Sequence, residues 1–314
     1  MPAVVSVLIP CYNAERWLGE TLESVFRQSW KNLEVIVVDD GSKDNSCKVV
    51  ETIQSPRLKL IRQSNCGAAV ARNRALNASR GEFIQYIDAD DLLNQKKIEL
   101  QMERLIRAPD CLAMAEWARF YGDPDEAVFG PDPTWRDMGP VDWLVNNWES
   151  GAGMMYPAMW LVPRKVVNLA GSWDPSFTLA DDTEYFARVV LAARRILFCE
   201  GARSYYRSGI SGSLSGLKSR SGWESQFAVL EACERYLLDR EDSDRTRRAC
   251  AMLWQRFAHG SYPHHRTLAN RALARSKALH AATIEPEGGP AFRMVSRLFG
   301  WKVARLAQRL SGRA

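Results

Sequence analysis

The sequence predicts an α/β protein built on a mainly parallel sheet, because short apolar strands alternate with helical segments through the first hundred residues. Such continuous apolar runs are typical of strands that are buried on both faces. The predicted strands are residues 4–9, 33–38, 58–61, 83–87, 157–163 and 204–209. The predicted helices are residues 17–26, 44–53, 68–78, 92–106 and 179–194, and residues 121–140 are predicted to form a loop.

The composition is that of an ordinary globular protein that is large enough to bury a sizeable core. Of the 314 residues, 46% are hydrophobic and 25% are charged. The amino terminus lacks the basic segment of a signal peptide, and no apolar stretch reaches the roughly 20 residues of a membrane-spanning helix. Seven cysteines are scattered without CxxC spacing, which argues against a disulfide framework or a zinc site. We therefore expect a cytoplasmic location.

The charge is distributed unevenly along the chain. Residues 216–314 carry 18 Lys and Arg against 9 Asp and Glu, a net charge of +9, whereas the rest carries a net charge of −4. We therefore predict a catalytic domain at residues 1–215 and a basic helical region at residues 216–314. The basic region implies an anionic partner.

Polar residues follow three of the predicted strands where each strand ends, which is the edge at which open parallel sheets bind ligands. The three segments are Pro10-Cys11-Tyr12-Asn13, Asp39-Asp40-Gly41-Ser42 and Asp88-Ala89-Asp90-Asp91. Two of them are acidic, and clustered carboxylates repel one another unless a cation lies among them. The sequence therefore predicts a cation at this edge.

The carboxylates of Asp88 and Asp90 are the hard oxygen ligands that Mg²⁺ and Mn²⁺ prefer, with further ligands coming from substrate phosphates. The alternative is a solvated acidic turn. A carboxylate of Asp39 or Asp40 can accept a hydrogen bond from a base N–H, such as the imide of uracil. The alternative for this pair is an Asx-type turn.

Two further segments carry candidate functional residues. Gly67 lets the backbone approach a ligand, Arg72 can pair with a carboxylate or a nucleotide, and Asn73 can orient a neighbouring loop. The alternative is an ordinary amphipathic helix with solvated arginines. Asp181 and Asp182 begin a helix, where the helix dipole alone favours acids. The functional interpretation is a general base.

Five segments in this order resemble glycosyltransferase family 2, the inverting nucleotide-sugar enzymes of GT-A fold. They are "VSVLIPCYN", "EVIVVDDGSKDNS", "NCGAAVARNRAL", "GEFIQYIDADD" and "WDPSF…ADDTEYFAR", and the resemblance covers about residues 4–215.

The resemblance implies a role for each matching residue. Nucleotide contacts fall on Pro10, Tyr12, Asn13, Asp39, Asp40, Gly67, Arg72 and Asp88, with Asp40 on the base. Asp90, with Asp88, is the implied ligand of Mn²⁺ or Mg²⁺. Asp182 is the implied catalytic base, supported by Asp181.

The sequence departs from the family pattern after the last predicted strand. Many members have a histidine there that joins the metal or diphosphate site, but this chain has Ser208 and Gly209. We expect either weaker metal affinity or a diphosphate held by Arg207, Ser211 and Ser213. An acceptor sugar could stack on Trp148, Tyr156 and Trp160; the alternative is that these aromatic residues belong to the core.

The last segment predicts an amphipathic helix near residues 291–311. One apolar stripe is formed by Phe292, Val295, Phe299, Val303, Leu306 and Leu310. Arginines and a lysine surround this stripe, and no acid follows Glu287. This pattern favours binding to an anionic membrane surface. The alternative is packing on the enzyme body or on a second subunit.

The sequence favours an inverting, metal-dependent glycosyltransferase that moves a sugar, most often from a UDP-sugar, to a saccharide or lipid-linked acceptor of the cell surface. One alternative is a catalytically silent sugar-nucleotide binding module. Another is a nucleotidyltransferase, although the expected glycine-rich basic loop is missing after the first strand. Nucleic acid is a poor partner because no nucleic-acid-binding module is recognised.

Overall fold

The computed structural model describes residues 3–150, 154–210, 219–279, 284 and 288–310. Its eight strands form one sheet in the order β3-β2-β1-β4-β7-β6-β8-β5. The strands are β1 (Val5–Cys11), β2 (Leu33–Asp39), β3 (Leu58–Arg62), β4 (Phe83–Tyr86), β5 (Leu92–Leu93), β6 (Leu112–Phe120), β7 (Trp160–Pro163) and β8 (Ile196–Arg207).

Helices flank the sheet and continue beyond it at the carboxyl terminus. They are α1 (Leu18–Phe26), α2 (Ser46–Glu51), α3 (Ala68–Ala78), α4 (Lys97–Leu105), α5 (Pro140–Ser150), α6 (Arg164–Ala170), α7 (Asp181–Ala192), α8 (Arg220–Arg240), α9 (Asp244–Ser261), α10 (Arg266–Leu279), α11 (Pro290–Phe299) and α12 (Trp301–Leu310). Short 3-10 helices lie at Pro124–Glu126 and Pro157–Met159.

The first four strands in spatial order, β3, β2, β1 and β4, are parallel and carry the predicted site. Cys11 pairs with Asp39, and Asp39 pairs with Arg62, so these three strands end at one level. The apolar side chains of β1 and β2 are almost completely buried. This half of the sheet confirms the predicted α/β fold.

The second half of the sheet is less regular than the sequence predicts. The strand β7 is antiparallel to both β4 and β6, and β5 is antiparallel to β8. The predicted helix at 92–106 is too long, because Leu92 and Leu93 pair with β8 and the helix begins at Lys97. The strand β6 and the helices α5 and α6 were not predicted, and the last strand begins at Ile196 rather than at residue 204.

The helices of the basic region pack against the sheet domain. Cys233 and Leu237 of α8, with Ala249 and Cys250 of α9, are buried in the main hydrophobic core. A second apolar cluster joins α8, α9 and α10 through Phe227, Leu230, Trp254, Phe257, Ala258, Tyr262, Ala269 and Ala272. The predicted boundary between residues 215 and 216 lies outside the described residues.

The single amphipathic helix predicted near 291–311 is wrong in one respect, because the segment forms two helices. The helical conformation is interrupted at Gly300, between α11 and α12. The φ of Gly300 is +81°, a value that glycine adopts readily. Phe292 and Ala304 are buried, and Trp301 and Leu306 pack on the second cluster. The predicted stripe is therefore divided between the two helices, and part of it packs on the protein. Across the described ranges, no helix combines the length and the apolar character that crossing a membrane requires.

We predict that Gly81→Ala destabilises the protein, because Gly81 lies against β1 just before β4 begins. An added Cβ would lie 2.7 Å from Ser6 N and 2.9 Å from Val4 O, and this backbone cannot move without disturbing the sheet. The free energy of unfolding should fall by about 2 kcal/mol, a typical cost of overpacking. Urea denaturation followed by circular dichroism measures it.

Gly122→Ala is the matched control, because no atom of the described residues lies within 4 Å of the Cβ that it would add. Its unfolding midpoint should stay at the wild-type value. Equal midpoints for Gly81→Ala and wild type would contradict the close approach of residue 81 to β1.

Candidate functional site

The exits of β1 and β2 are tied together at the sheet edge by Asn13. Its backbone N–H donates to Ser42 Oγ at 2.9 Å, and its Oδ1 accepts from Lys43 N–H at 2.8 Å. Asn13 has a φ of 49°, in the left-handed region that non-glycine residues rarely adopt. Tyr12 beside it is 49% exposed, and Pro10 is half-buried. The nucleotide contacts of these three residues stay predictions.

Asp40 organises the loop between β3 and α3. Its carboxylate is buried and accepts from Gln63 Nε2 at 2.7 Å, Cys66 N at 2.9 Å and Gly67 N at 2.8 Å. A nucleotide base that bonds to Asp40 would therefore have to share a carboxylate that already accepts from three donors. The side chain of Asp39 accepts from Ser42 N–H at 3.3 Å, and its Oδ1 is buried without a hydrogen-bond partner among the described residues.

Gly67 is the residue immediately before α3. Its φ is +92°, and no atom of the described residues lies within 4 Å of a Cβ placed there. Arg72 follows five residues later on the same helix, a rise of about 7.5 Å. The helix α3 therefore connects the Asp40 loop to the acidic residues described next.

Arg72 bridges two of the predicted site segments. Its Nη2 donates to Asp88 at 2.8 Å, and its Nη1 donates to Asp181 at 2.8 Å. The arginine side chain is only 6% exposed, compared with 29% for Asp88 and 19% for Asp181. The guanidinium therefore joins the exit of β4 to the start of α7, two segments that are far apart in sequence.

The ring of Trp173 supports the Arg72 guanidinium. The guanidinium carbon lies 4.4 Å from the centroid of the Trp173 ring, which itself stacks on Tyr185 at 4.0 Å. Asn73 holds this loop, because it donates to Trp173 O at 2.8 Å and accepts from Trp173 N–H at 2.9 Å. The predicted loop-orienting role of Asn73 is confirmed.

The acidic turn after β4 carries concentrated negative charge. Burial, with the nearby charge of Asp88, raises the pKa of Asp90 to about 6. Burial and the charges of Asp90 and Asp88 raise the pKa of Asp91 well above its usual value. Throughout the described ranges, no three His, Cys, Asp or Glu side chains meet as a complete metal site. Metal binding by Asp88 and Asp90 stays a prediction.

Asp182 is an acid whose charged form is disfavoured. Burial and the charge of Asp181 raise its pKa to about 7, while Arg72 opposes this rise. Its carboxylate accepts from Thr183 N–H at 2.7 Å. The preceding helix cap, Ala180, has a φ of 60°. In the described part of the chain, Asn13 and Ala180 are the two non-glycine residues with positive φ, and both lie in predicted site segments. Such backbone strain is typical of functional sites.

Some predicted site residues are placed elsewhere. Trp148, Tyr156 and Trp160 are each at most 1% exposed, so the predicted acceptor-stacking face, including Trp160, is wrong. Their aromatic surface is used to pack the core. Ser211 and Ser213 lie outside the described residues. The guanidinium of Arg207 is buried and occupied by other residues of the protein.

Trp173 and Gln63 are supporting residues that were not predicted from the sequence. Trp173 contacts Asn73 across 100 positions, and no local pattern in a single sequence indicates such a contact. Gln63 follows the end of β3, and its hydrogen bond to Asp40 was not indicated by its position in the sequence.

A sequence profile described as "Glycosyl transferase family 2" matches residues 6–169, which is more than half of the chain. The chain belongs to this family. The match includes the segments that carry Asp40, Arg72 and Asp90, and it confirms the resemblance.

Two curated relatives each match less than half of the chain. YibD of Escherichia coli strain K12, described as an uncharacterized glycosyltransferase, is 40% identical over 148 residues, which are 45% of this chain and 42% of YibD. WfgD of Escherichia coli, named a UDP-Glc:alpha-D-GlcNAc-diphosphoundecaprenol beta-1,3-glucosyltransferase, is 37% identical over 105 residues, which are 33% of this chain and 42% of WfgD. The chain thus spans less than half the length of these relatives.

A solved structure matches nearly the whole chain in fold. The fragment 1–349 of S. aureus TarS in complex with UDP-GlcNAc superimposes with a TM-score of 0.71, covering 98% of this chain and 92% of the fragment at 18% sequence identity. The similarity includes the carboxyl-terminal helices and confirms the predicted GT-A fold.

We predict that Asp182→Asn stabilises the protein at alkaline pH. The pKa of Asp182 is about 7 when folded and about 3.9 when unfolded. The unfolded chain therefore ionises first as pH rises, and wild-type stability is lost between about pH 4 and 7. The variant lacks this loss, so its free energy of unfolding at pH 8 should exceed the wild-type value by roughly 4 kcal/mol, since about three pKa units each correspond to about 1.4 kcal/mol, and the difference should vanish near pH 4.

Asp174→Asn is the control of opposite sign. Hydrogen bonds from Ser176 lower the pKa of Asp174, so its charged form stabilises the fold and this variant should lose stability at pH 8. Denaturation curves at several pH values measure both effects. A gain at pH 8 that persists unchanged at pH 4 would show that the Asp182 charge is not its cause.

Proposed function

We propose that this chain is an inverting glycosyltransferase that moves a sugar from a nucleotide diphosphate, preferably UDP, to a hydroxyl of a saccharide or lipid-linked acceptor. The observation that carries the proposal is the Arg72 bridge between Asp88 and Asp181. It holds the predicted donor-binding turn beside the predicted base. The residues proposed to bind the donor and the residue proposed to deprotonate the acceptor then lie at the same edge of the sheet.

On the donor side, Asp90 and Asp88 would hold Mn²⁺ or Mg²⁺. The residues fit such an ion because the Asp90 carboxylate takes no hydrogen bond from another described residue, and burial together with the nearby charge of Asp88 raises its pKa. The two carboxylates leave most coordination positions for donor phosphates and water. When bound, the ion supplies neutralisation of the negative charge that develops on the leaving diphosphate.

On the acceptor side, Asp182 would accept the proton of the attacking hydroxyl. A base with a pKa near the working pH is suited to this transfer, and the pKa of Asp182 is about 7. Asp181 would act indirectly, since its carboxylate pairs with Arg72 and its charge raises the pKa of its neighbour. Attack from the face opposite the leaving group inverts the anomeric carbon.

The comparisons support a UDP-sugar donor and a role in cell-surface glycan synthesis. The TarS fragment was solved in complex with UDP-GlcNAc, and the name of WfgD gives UDP-Glc and a diphosphoundecaprenol-linked acceptor. Family membership makes a nucleotidyltransferase the poorer alternative. A silent binding module has no need of the strained turn at Ala180 that precedes the carboxylate of Asp182.

We predict that Asp182→Asn binds UDP within about threefold of wild type but loses turnover by about 10³-fold, within the range for removing a general base. Release of UDP from a panel of UDP-sugars with Mn²⁺, with and without saccharide acceptors, measures turnover. Calorimetry measures UDP binding. Asp174→Asn should turn over like wild type, because Asp174 is exposed and its carboxylate bonds to Ser176.

Turnover by Asp182→Asn at the wild-type rate would assign the base to another residue. Absence of UDP release by the wild-type protein from every donor, despite UDP binding, would favour the silent module. Release of GDP or TDP in a parallel screen would instead correct the base specificity.

We further propose that α11 and α12 place the enzyme on an anionic membrane surface, on the inner face of the plasma membrane. The helices leave five large apolar side chains exposed, namely Met294, Leu298, Phe299, Val303 and Leu310. Arg293 and Arg297 line one shallow groove with Met294 and Leu298. This pairing of apolar and basic side chains matches a lipid interface, and each basic residue near it contributes about 1 kcal/mol.

We predict that the triple variant Met294→Ser, Leu298→Ser, Phe299→Ser loses flotation with vesicles that contain phosphatidylglycerol. Arg293→Gln with Arg297→Gln should weaken flotation in a salt-dependent way. The control is Val128→Ser with Leu169→Ser, which removes exposed apolar side chains elsewhere and should float like wild type. Flotation that is equal for all these proteins would exclude this surface as the anchor.

A further inference from the structure

Arg207, the last residue of β8, is buried between two aromatic rings. Its guanidinium carbon lies 4.3 Å from the centroid of the Trp17 ring and 4.4 Å from that of Phe120. The side chain is only 3% exposed. A guanidinium in such surroundings requires partners, because an unpaired buried charge is strongly destabilising.

The partners of Arg207 lie in the acidic turn and in α1. Its Nε donates to the backbone oxygen of Asp90 at 2.8 Å, and its backbone N–H donates to Asp91 Oδ1 at 3.0 Å. Its Nη2 donates to the carboxylate of Glu20. One residue therefore contacts two successive members of the turn, through its side chain and through its backbone.

The helix α1 completes this support. Thr21 Oγ1 donates to the backbone oxygen of Ala89 at 2.9 Å, one residue before the carbonyl that Arg207 holds. Trp17, Glu20 and Thr21 all lie at the start of this helix. The helix α1 and Arg207 therefore both hydrogen-bond to the backbone of the acidic turn. The carboxylate of Asp90 takes no part in these contacts and is left for a ligand.

We propose that Arg207 is a positioning residue that holds the backbone of the acidic turn so that the Asp90 carboxylate can bind the metal of the donor complex. This inference rests on the proposed function. It replaces the expectation that Arg207 holds the diphosphate, because Nε and Nη2 are both used inside the protein and the side chain is buried. It also gives the strand after the base a function in the absence of the family's histidine.

Arginine is required at this position because lysine cannot reproduce its geometry. The planar guanidinium stacks between two rings while it donates in two directions, whereas an ammonium is a single, strongly hydrated point charge. Arg207→Lys keeps the positive charge but removes the paired hydrogen bonds to the Asp90 backbone and to Glu20. Any loss that it causes therefore reports geometry rather than net charge.

The test compares Arg207→Lys with Arg203→Lys. Arg203 lies on the same strand, pairs with Glu116 at 2.9 Å and lies 4.8 Å from the Phe129 ring, and its described side-chain contacts lie away from residues 88–91. We expect Arg207→Lys to bind Mn²⁺ at least tenfold more weakly in the presence of UDP, measured by electron paramagnetic resonance. UDP binding without metal should stay within twofold of wild type for both variants.

Hydrogen exchange without metal or nucleotide gives a second readout. The peptide that covers residues 88–93 should exchange faster in Arg207→Lys and at the wild-type rate in Arg203→Lys. If Arg207→Lys does not fold, Glu20→Ala serves instead, because Glu20 is mostly exposed and its removal weakens the same contact.

Unchanged Mn²⁺ affinity in Arg207→Lys would overturn the proposal. An equal loss of metal-free UDP binding would also overturn it, since that result assigns Arg207 to the diphosphate. If wild type itself binds no Mn²⁺, the metal part of the proposed function fails and the exchange data decide. Faster exchange confined to Arg207→Lys then upholds the contact with the turn, and equal exchange rejects it.

Discussion

The ion pairs of Arg72 are the interaction on which the site depends. The carboxylates of Asp88 and Asp181 lie at the ends of elements that no local sequence pattern connects, and one buried guanidinium bonds to both. Without it, these carboxylates and that of Asp182 would repel one another at low dielectric. A buried pair of this kind need not add stability, but breaking it leaves an uncompensated charge. The ion pairs of Arg72 therefore set the relative position of Asp88 and Asp181.

The aromatic core explains how this guanidinium is held. Trp173 lies between Arg72 on one side and Tyr185 on the other, and Tyr86 contacts both rings edge-on. Tyr86 is the last residue of the strand that leads to the acidic turn, and Tyr185 lies one turn into α7. Packing that buries these rings thus sets the separation between the two acidic segments. The aromatic residues support the site from below.

Features that follow from short-range pattern were predictable from the sequence, and features that depend on distant contacts were not. Strand exits, the helix that begins after Gly67 and the acids near residues 90 and 182 belong to the first group. Trp160 was misjudged because burial is decided by tertiary packing, which an aromatic residue alone does not report. The break at Gly300 was missed because a 3.6-residue stripe continues through a glycine in sequence, while the positive φ of that glycine ends the helix in space.

Charge at the site is left incompletely neutralised, and this has a functional reason in the proposed reaction. Arg72 satisfies Asp88 and Asp181, and Arg207 contacts the backbone of the acidic turn, yet burial and the neighbouring carboxylates keep the pKa values of Asp90 and Asp182 raised. Additional basic side chains would stabilise the charged forms of these two carboxylates, but they would also occupy them. A cation that arrives with the donor can stabilise a carboxylate only where no protein side chain already does so. In the proposed reaction, the electrostatic free energy that the protein leaves unsatisfied is available for binding the donor complex.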